Sequence, residues 1–350
     1  SRLPSDMPRR GATRKPPPSQ MPSNLLLTKT GTAILQLAAC VGATAGSGFA
    51  PRIVNGRQSA PFRHAFTVAL YTFTSSGYFC AGSLVNSSVV LTAAHCLVDD
   101  EGTYLESVWA SVHRHDITMT AAAENERGGA DGCAATIFVS SIKIHPDYSS
   151  VMEGADVALL YLSSPAPCAG QETPIIAIDT GSDDWAGSQL TVAGWGRTSS
   201  SPRASPTYSD VLREAGVIGV ANVGCEAAFG IADMTGMLCA SDSSARGDAC
   251  QGDSGGPLWS AAGAEPVLVG VVSWGIGCAD PDYPGVYARV AHYADWILAG
   301  AADTDTTPYP PPPSPPLSPP PPSPPSLPPC PLGDVCVVDG PCLITDGGSC

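Results

Sequence analysis

The sequence predicts an all-β protein, because between about residues 53 and 300 its apolar residues form short runs of β character broken by turn residues. Examples of these runs are 66–71, 88–92, 155–160 and 267–272. Many short strands in one region favour a barrel or a sandwich over β-α-β units. One amphipathic helix is predicted over 291–298, with Gly300 ending it.

The first part of the chain, residues 1–52, is predicted to be a leader with a signal peptide and a short propeptide. Its apolar segment 33–41 follows Lys29 and runs into the small residues Ala43-Thr44-Ala45, the pattern of a secretory signal with its cleavage site. The segment is too short to span a membrane. Because it starts more than thirty residues into the chain, Met21 is considered as the true initiator.

The composition changes again after a domain over 53–302. Residues 303–329 are predicted to be a linker of extended polyproline II, since 308–329 consist almost wholly of Pro and Ser. This linker is similar to the Ser-Pro-rich spacers of plant and algal extracellular glycoproteins. Residues 330–350 are predicted to be a small Cys-rich module, which the end of the chain would cut short; its cysteines are Cys330, Cys336, Cys342 and Cys350.

Charge and cysteine content limit the partners and the compartment. The net charge of −15 argues against nucleic acid and anionic membrane surfaces as partners. Residues 53–300 contain 10 Lys and Arg against 26 Asp and Glu, which fits an acidic soluble surface or attraction of cationic substrates. Thirteen cysteines indicate an oxidising compartment, and loss of Cys40 with the signal leaves twelve, an even number. We therefore predict a secreted, extracellular protein.

Three residues far apart in the chain carry the strongest chemical signal. Ser254 lies in the run Gly252-Asp253-Ser254-Gly255-Gly256-Pro257, where the backbone can turn sharply and present both a hydroxyl and nearby N–H groups. His95 follows an apolar run, and Asp156 lies within one, where a carboxylate needs a partner. The order His, Asp, Ser is typical of nucleophilic catalysis with a base and an orienting acid.

At these residues the chain resembles the chymotrypsin/trypsin family of serine proteases. The resemblance covers 53–300 and includes the motifs Ile53-Val54-Asn55-Gly56, Gly194-Trp195-Gly196, Ser273-Trp274-Gly275 and Pro284-Gly285-Val286-Tyr287. It implies two six-stranded antiparallel β-barrels, with the site in the cleft between them, and a C-terminal helix. It also implies the template triad of this family, with Ser254 as nucleophile, His95 as base and Asp156 as orienting acid. The N–H groups of Gly252 and Ser254 would form the oxyanion hole.

The resemblance also implies a substrate. Asp248, six residues before Ser254, would lie at the floor of the pocket for the substrate side chain, where a carboxylate pairs with Arg or Lys. We therefore predict an endopeptidase that cleaves proteins or peptides after Arg or Lys, with protein protease inhibitors as further partners. The other predicted substrate-binding residues are Ser273, Trp274, Gly275, Gly277 and Gly285.

Activation is predicted at the junction of Arg52 and Ile53. By resemblance, cleavage there frees an Ile53 amine that inserts and pairs with Asp253. A buried ion pair suits such a switch, because neither charge is tolerable alone. The hypothesis is a zymogen activated by trypsin-like cleavage.

The resemblance pairs Cys80 with Cys96, Cys225 with Cys239, and Cys250 with Cys278. Cys133 and Cys168 match none of the family's most frequent bridges, and we predict that they pair with each other. In the family fold 136–144 and 156–162 should be neighbouring antiparallel strands. Their expected register pairs residue numbers that add up to about 301, as 133 and 168 do.

No cofactor and no metal is predicted. The family's calcium loop would lie after Asp116, where Glu124, Glu126 and Asp131 supply oxygens without a recognisable ligand spacing. His113 and His115 alternate at a strand end, and we interpret them as part of a surface strand in preference to a metal site.

Two alternative functions stay open at this stage. A catalytically inactive relative would act as a protease-like binding protein, although the triad and the activation junction are intact here. Alternatively, the linker and the Cys-rich tail dominate the role of the protein, as an anchor to extracellular matrix or carbohydrate that carries the protease along.

Overall fold

The structure, a computed structural model, describes residues 56–72, 77–98, 105, 107–127, 132–199, 208–242 and 247–303. The leader, the junction of Arg52 and Ile53, the Pro/Ser-rich linker and the Cys-rich tail lie outside these residues, and their assignments stay predictions. In the part of the chain that is described, no helix combines the length and the apolar character that a membrane crossing requires.

The described residues form fourteen strands. In chain order they are β1 (Arg57–Gln58), β2 (Thr67–Thr72), β3 (Tyr78–Asn86), β4 (Val89–Thr92), β5 (Val108–Val112), β6 (Ala135–Ile144), β7 (Ala158–Leu162), β8 (Ala177–Ile178), β9 (Gln189–Gly194), β10 (Arg213–Val220), β11 (Met237–Ser241), β12 (Pro257–Ser260), β13 (Val267–Trp274) and β14 (Gly285–Arg289). The helices are α1 (Ala121–Glu126), α2 (Asn222–Phe229) and α3 (Ala294–Ala302), with 3-10 helices at Ala94–Cys96 and Val290–Tyr293.

The strands close into two antiparallel barrels of six strands each. The first barrel has the order β2-β3-β4-β7-β6-β5 and closes by the pairing of β5 with β2. The second has the order β10-β11-β14-β13-β12-β9 and closes by the pairing of β9 with β10. Strand β1 pairs with β10 outside this ring, and the short β8 lies parallel to β13. The predicted fold class, two six-stranded barrels with a C-terminal helix, is confirmed.

One of the predicted strands begins later than its apolar run. Strand β7 starts at Ala158, although the run starts at Ala155. Ala155 has a φ of +53°, outside the extended region, and its carbonyl accepts a hydrogen bond from Val157 N–H at 2.7 Å. Asp156 therefore lies in a tight turn before the strand, at the end of the barrel.

The C-terminal helix also differs from its prediction, because Gly300 lies inside α3 and does not end it. A Cβ at Gly300 would lie 2.3 Å from Leu159 Cδ1, so the missing side chain lets α3 pack directly on β7. The Tyr161 hydroxyl donates to Gly300 O at 3.1 Å, and Asn86 Nδ2 donates to Ala301 O at 3.0 Å. The helix that follows the second barrel is thus fastened to the first.

Apolar packing is continuous across the two barrels. The largest cluster of buried residues contains Leu70, Leu91 and Leu160 of the first barrel together with Trp259 and Val271 of the second. A second cluster, which includes Leu190, Leu238 and Val269, fills the second barrel alone. Burial of this kind is the main favourable contribution to folding, and it fixes the two barrels against each other.

The described cysteines form the four predicted disulfides, Cys80–Cys96, Cys133–Cys168, Cys225–Cys239 and Cys250–Cys278. The register of β6 and β7 explains the second of them. Ile144 pairs with Ala158 and Val139 with Leu162, with a one-residue irregularity between the two pairs. When this register continues beyond the strand ends, position 133 faces position 168, and the two Cα atoms lie 5.4 Å apart.

Replacing both Cys133 and Cys168 by Ser should lower the free energy of unfolding by about 3–4 kcal/mol, because the bridge restrains the unfolded chain across a sequence separation of 35. Urea unfolding of the double variant beside the wild type measures the difference. An unchanged unfolding midpoint would contradict the prediction.

Candidate active site

The pairing of β4 with β7 brings His95 and Asp156 together. Thr92 pairs with Ala158, His95 lies three residues after Thr92, and Asp156 lies two residues before Ala158. In an antiparallel pair the chain leaving one strand lies beside the chain entering the other, so both residues occur at one end of the first barrel. His95 is part of the 3-10 helix Ala94–Cys96, which the Cys80–Cys96 bridge fastens to β3.

Asp156 accepts three hydrogen bonds. Oδ1 accepts from the His95 backbone N–H at 2.9 Å, and Oδ2 accepts from His95 Nδ1 at 2.8 Å and from the Ser273 hydroxyl at 2.5 Å. The residue is only 1% exposed. Burial alone would raise the pKa of this carboxyl, but the hydrogen bonds and charge of His95, with the Ser273 bond, hold it below its ordinary value. Since a carboxylate only accepts, His95 Nδ1 carries a proton, and in the neutral imidazole this places the lone pair on Nε2.

The loop that carries Ser254 lies against the first barrel. Ala81 N–H donates to Ser254 O at 2.8 Å. The next residue, Gly255, has a φ of +77°, and a Cβ there would lie 2.2 Å from Thr92 Oγ1 and 2.4 Å from Ala81 O. Only glycine permits this approach. The loop therefore meets the end of β4, the strand that leads to His95.

Two backbone donors in this loop have no acceptor within the described residues. Asp253, Gly255 and Gly256 use their N–H groups in hydrogen bonds to Cys250, Val272 and Asp253, respectively. In contrast, the N–H groups of Gly252 and Ser254 donate to nothing among the residues that the structure describes. Free N–H groups beside a serine hydroxyl are the donors that an oxyanion requires.

Asp253, within this loop, is fully buried. Its Oδ1 accepts from Gly196 N–H at 2.8 Å and its Oδ2 from Cys250 N–H at 2.9 Å. Burial outweighs these two donors and raises the pKa of Asp253 to about 7. A buried cation beside this carboxylate would stabilise its ionised form.

A cavity of about 210 Å³ opens beside Ser254. Asp248 lines it, is 6% exposed, and has one oxygen bonded to Ala279 N–H at 2.8 Å. The other oxygen, Oδ1, has no hydrogen-bond partner among the described residues. Burial raises the pKa of Asp248 to about 6. All the other predicted substrate-binding residues line the same cavity: Ser273, Trp274, Gly275, Gly277 and Gly285.

The structure shows no Ser254–His95 hydrogen bond among the residues that it describes, and it does not describe Ile53. Within the described part of the chain, Ser254 Oγ has no hydrogen bond to His95 Nε2. Such bonds are often long without substrate and tighten when it binds. Ile53 lies outside the described residues, so its pairing with Asp253 stays a prediction.

Two contacts of the Asp156 segment were missed from the sequence. Ser273 was predicted only to bind substrate, yet its hydroxyl donates to Asp156. Tyr293 accepts a hydrogen bond from Ala155 N–H at 2.7 Å and so supports the turn that presents Asp156. These partners lie 117 and 138 residues away along the chain, and no local pattern indicates them.

The loop after Asp116 is organised around an internal cation. Arg114 donates to Glu124 Oε2, to Ser111 Oγ, and to the carbonyls of Asp116 and Met119. Glu124 Oε1 accepts from the N–H groups of His115 and Asp116. Both Glu124 oxygens are therefore engaged by protein donors. Glu126 is exposed, and Asp131 lies outside the described residues.

The interpretation of His113 and His115 as part of a surface strand is wrong. Both are buried, and they follow β5. Phe62 stacks on the His113 ring with centroids 4.8 Å apart, while His113 Nδ1 lies 2.9 Å from Thr173 Oγ1. The segment before β2 covers these residues, which the alternating pattern does not reveal.

This fold, with its catalytic cleft, is that of the chymotrypsin-like serine proteases. The family model described as Trypsin matches residues 53–297. Similar proteins include Trypsin eta of Drosophila erecta, 35% identical over 254 residues (71% of this chain and 89% of the relative), and Trypsin-1 of Salmo salar, 35% identical over 254 residues (72% and 91%). Trypsin-1 of Astacus astacus is 32% identical over 242 residues (69% and 94%). The chain belongs to the trypsin family, and it is a serine endopeptidase.

The raised pKa of Asp248 predicts a pH dependence for binding of a small cation such as benzamidine. The cation requires the ionised carboxylate, so affinity should be constant above pH 7 and about tenfold weaker at pH 5. Titration calorimetry on a Ser254→Ala protein measures it.

Asp282, an exposed acid in the segment that follows Ala279, offers a control. Asp282→Asn should keep the pH dependence, whereas Asp248→Asn should abolish binding. Equal wild-type affinity at pH 5 and pH 7 would show that Asp248 is ionised throughout.

Proposed function

We propose that the protein is a secreted endopeptidase that cleaves after Arg or Lys and is made as a zymogen. The observation that carries the specificity is Asp248 Oδ1, which has no hydrogen-bond partner among the described residues and belongs to the cavity beside Ser254. A buried carboxylate oxygen without a donor favours a ligand that brings a cation.

In the proposed mechanism Ser254 Oγ attacks the carbonyl carbon of the substrate while its proton moves to His95 Nε2. Asp156 holds the imidazole through Nδ1 and stabilises its cationic form. The carbonyl oxygen becomes an oxyanion that accepts hydrogen bonds from the N–H groups of Gly252 and Ser254. His95 then gives the proton to the amine nitrogen, the C–N bond breaks, and an acyl-enzyme remains.

Water completes the cycle by the same groups. His95 takes a proton from water, whose oxygen attacks the ester carbon of the acyl-enzyme. The second oxyanion accepts hydrogen bonds from the same two N–H groups. Its collapse breaks the bond to Ser254 Oγ, which recovers the proton from His95, and a carboxylic acid leaves.

Hydrolysis of peptide amides ending in Arg, Lys or Phe tests the specificity directly. The cleaved, active protein should hydrolyse the Arg and Lys amides with a kcat/KM about 10⁴-fold above that of the Phe amide, because a buried polar group rejects a side chain that cannot pair with it. Ser254→Ala should abolish all three activities. Faster cleavage of the Phe amide would overturn the assignment of Asp248.

Activation by cleavage between Arg52 and Ile53 is supported by the burial of Asp253. The new Ile53 amine would supply the cation that this carboxylate lacks among the described residues. Before cleavage, the raised pKa keeps Asp253 protonated below about pH 7, and ionisation above that value leaves a buried charge.

The uncut protein should therefore lose stability relative to the cut protein as pH rises from about 4 to 7. A raised folded-state pKa contributes stability below the unfolded value, and this contribution is lost as pH rises through the folded value. Differential scanning calorimetry of Ser254→Ala protein, uncut and cut, should show a Tm difference that widens between pH 5 and pH 7.

Asp253→Asn in the uncut protein removes the titrating group and should remove this slope. A Tm difference that stays equal at pH 5 and pH 8 would contradict the activation proposal.

Secretion is supported by the signal-like segment 33–41 and by the four disulfides, which are typical of oxidising compartments. Expected partners are proteins or peptides with an exposed Arg or Lys and protein protease inhibitors. The linker and the Cys-rich tail are assigned to matrix or carbohydrate contact.

A further inference from the structure

A tyrosine hydroxyl holds the peptide group next to the proposed oxyanion hole. Tyr78, the first residue of β3, donates a hydrogen bond to Gly252 O at 2.5 Å. Its side chain is half-buried, and burial is the main cause that raises the pKa of Tyr78 well above its ordinary value. The hydroxyl thus reaches the serine loop from within the first barrel.

Gly252 is the residue in this loop that most needs such a contact. Its N–H has no acceptor in the part of the chain that the structure describes, its φ is +96°, and glycine has the widest backbone freedom of any residue. The ring of Tyr208 covers its Cα, since a Cβ there would lie 3.0 Å from Tyr208 Cε1. The N–H, the Cα that Tyr208 covers and the carbonyl that Tyr78 binds thus all belong to Gly252.

The N–H and the carbonyl of Gly252 lie on the two sides of a single Cα, so rotation about its two backbone torsions moves one relative to the other. With Gly196 and Tyr208 against the Cα, a fixed carbonyl leaves the N–H little freedom. A donor stabilises a developing oxyanion well only if it is already oriented when charge appears.

We propose that Tyr78 is a positioning residue that orients the Gly252 N–H toward the oxyanion by holding the Gly252 carbonyl. The proposal rests on the proposed role of Gly252 in the oxyanion hole. Tyr78 acts through Gly252 and takes no part in proton transfer.

Tyr78→Phe isolates the hydroxyl from the ring. The ring contacts the edges of Tyr71 and Trp195, with centroids 6.2 and 5.8 Å away, and phenylalanine keeps this packing. The substitution removes the donor to the Gly252 carbonyl together with the contact between the hydroxyl and the backbone of Trp195.

The test compares two ligands of the activated enzyme. A peptide arginine aldehyde reacts with Ser254: the serine oxygen adds to the aldehyde carbon, its proton moves to His95, and the aldehyde oxygen becomes an oxyanion. Benzamidine occupies only the Asp248 pocket. For Tyr78→Phe we expect about tenfold weaker aldehyde binding and about tenfold lower kcat on an Arg amide, with KM and benzamidine affinity within twofold of wild type.

Tyr71→Phe is the matched control, because it removes a hydroxyl from the neighbouring ring that contacts Tyr78 and should leave both affinities unchanged. Wild-type aldehyde affinity in Tyr78→Phe would overturn the proposal. An equal loss for both ligands, or a protein that no longer folds, would overturn it too, since Tyr78 would then support the pocket or the fold in general. A wild-type enzyme that neither binds benzamidine nor cleaves the Arg amide would instead refute the proposed function.

Discussion

The arrangement of the cleft depends on the free-energy cost of burying three carboxylates. Asp156, Asp248 and Asp253 are all nearly or fully inaccessible to water, and a buried charge without donors or a cation is strongly unfavourable. Each has a different set of partners: His95 and Ser273 for Asp156, and only backbone N–H groups for Asp253 and Asp248. The pKa of Asp156, which faces a histidine, is lowered, whereas burial raises the pKa values of Asp253 and Asp248.

The two barrels supply the partners of these residues together, because each barrel forms hydrogen bonds to the catalytic residues that the other barrel carries. The first barrel presents His95 and Asp156 through the register of β4 with β7, while Ser273 on β13 of the second barrel bonds to Asp156. In return, Ala81 of the first barrel binds the carbonyl of Ser254. Because these bonds cross the interface, any rotation of one barrel against the other would break several at once. The rigid apolar interface is therefore part of the catalytic geometry.

The sequence was sufficient for features encoded locally or repeated within a family. The serine loop was recognised from its motif, and the Cys133–Cys168 bridge from the expected strand register. The two barrels, the residues that line the pocket and the other three disulfides followed from the resemblance to the family. The sequence was insufficient where distant segments meet. Gly300 was interpreted as a helix end, since the sequence does not reveal its contact with Leu159. His113 was interpreted as exposed, since the sequence does not reveal that Phe62, from another segment, covers it. Likewise, Glu124 looked like a free acid although Arg114 neutralises it. Each error is a long-range contact overriding a local pattern.

The three carboxylates also differ in when they obtain a cation, and this gives the proposed enzyme an order of events. Asp156 has its histidine in the uncut chain. Asp253 would obtain an ammonium only after cleavage at Arg52, and Asp248 only when an Arg or Lys side chain enters the pocket. Each of these two later ion pairs lowers the free energy of a buried carboxylate that otherwise has no cation. Both pairs affect the Ser254 loop, since Asp253 lies within that loop and Asp248 lies in the pocket beside it. The cost of burying an unpaired carboxylate thus links cleavage at Arg52 to the order of the Ser254 loop, and it links the charge of the substrate side chain to binding. Tyr78 orients the Gly252 N–H, the donor that binds the oxyanion after these steps.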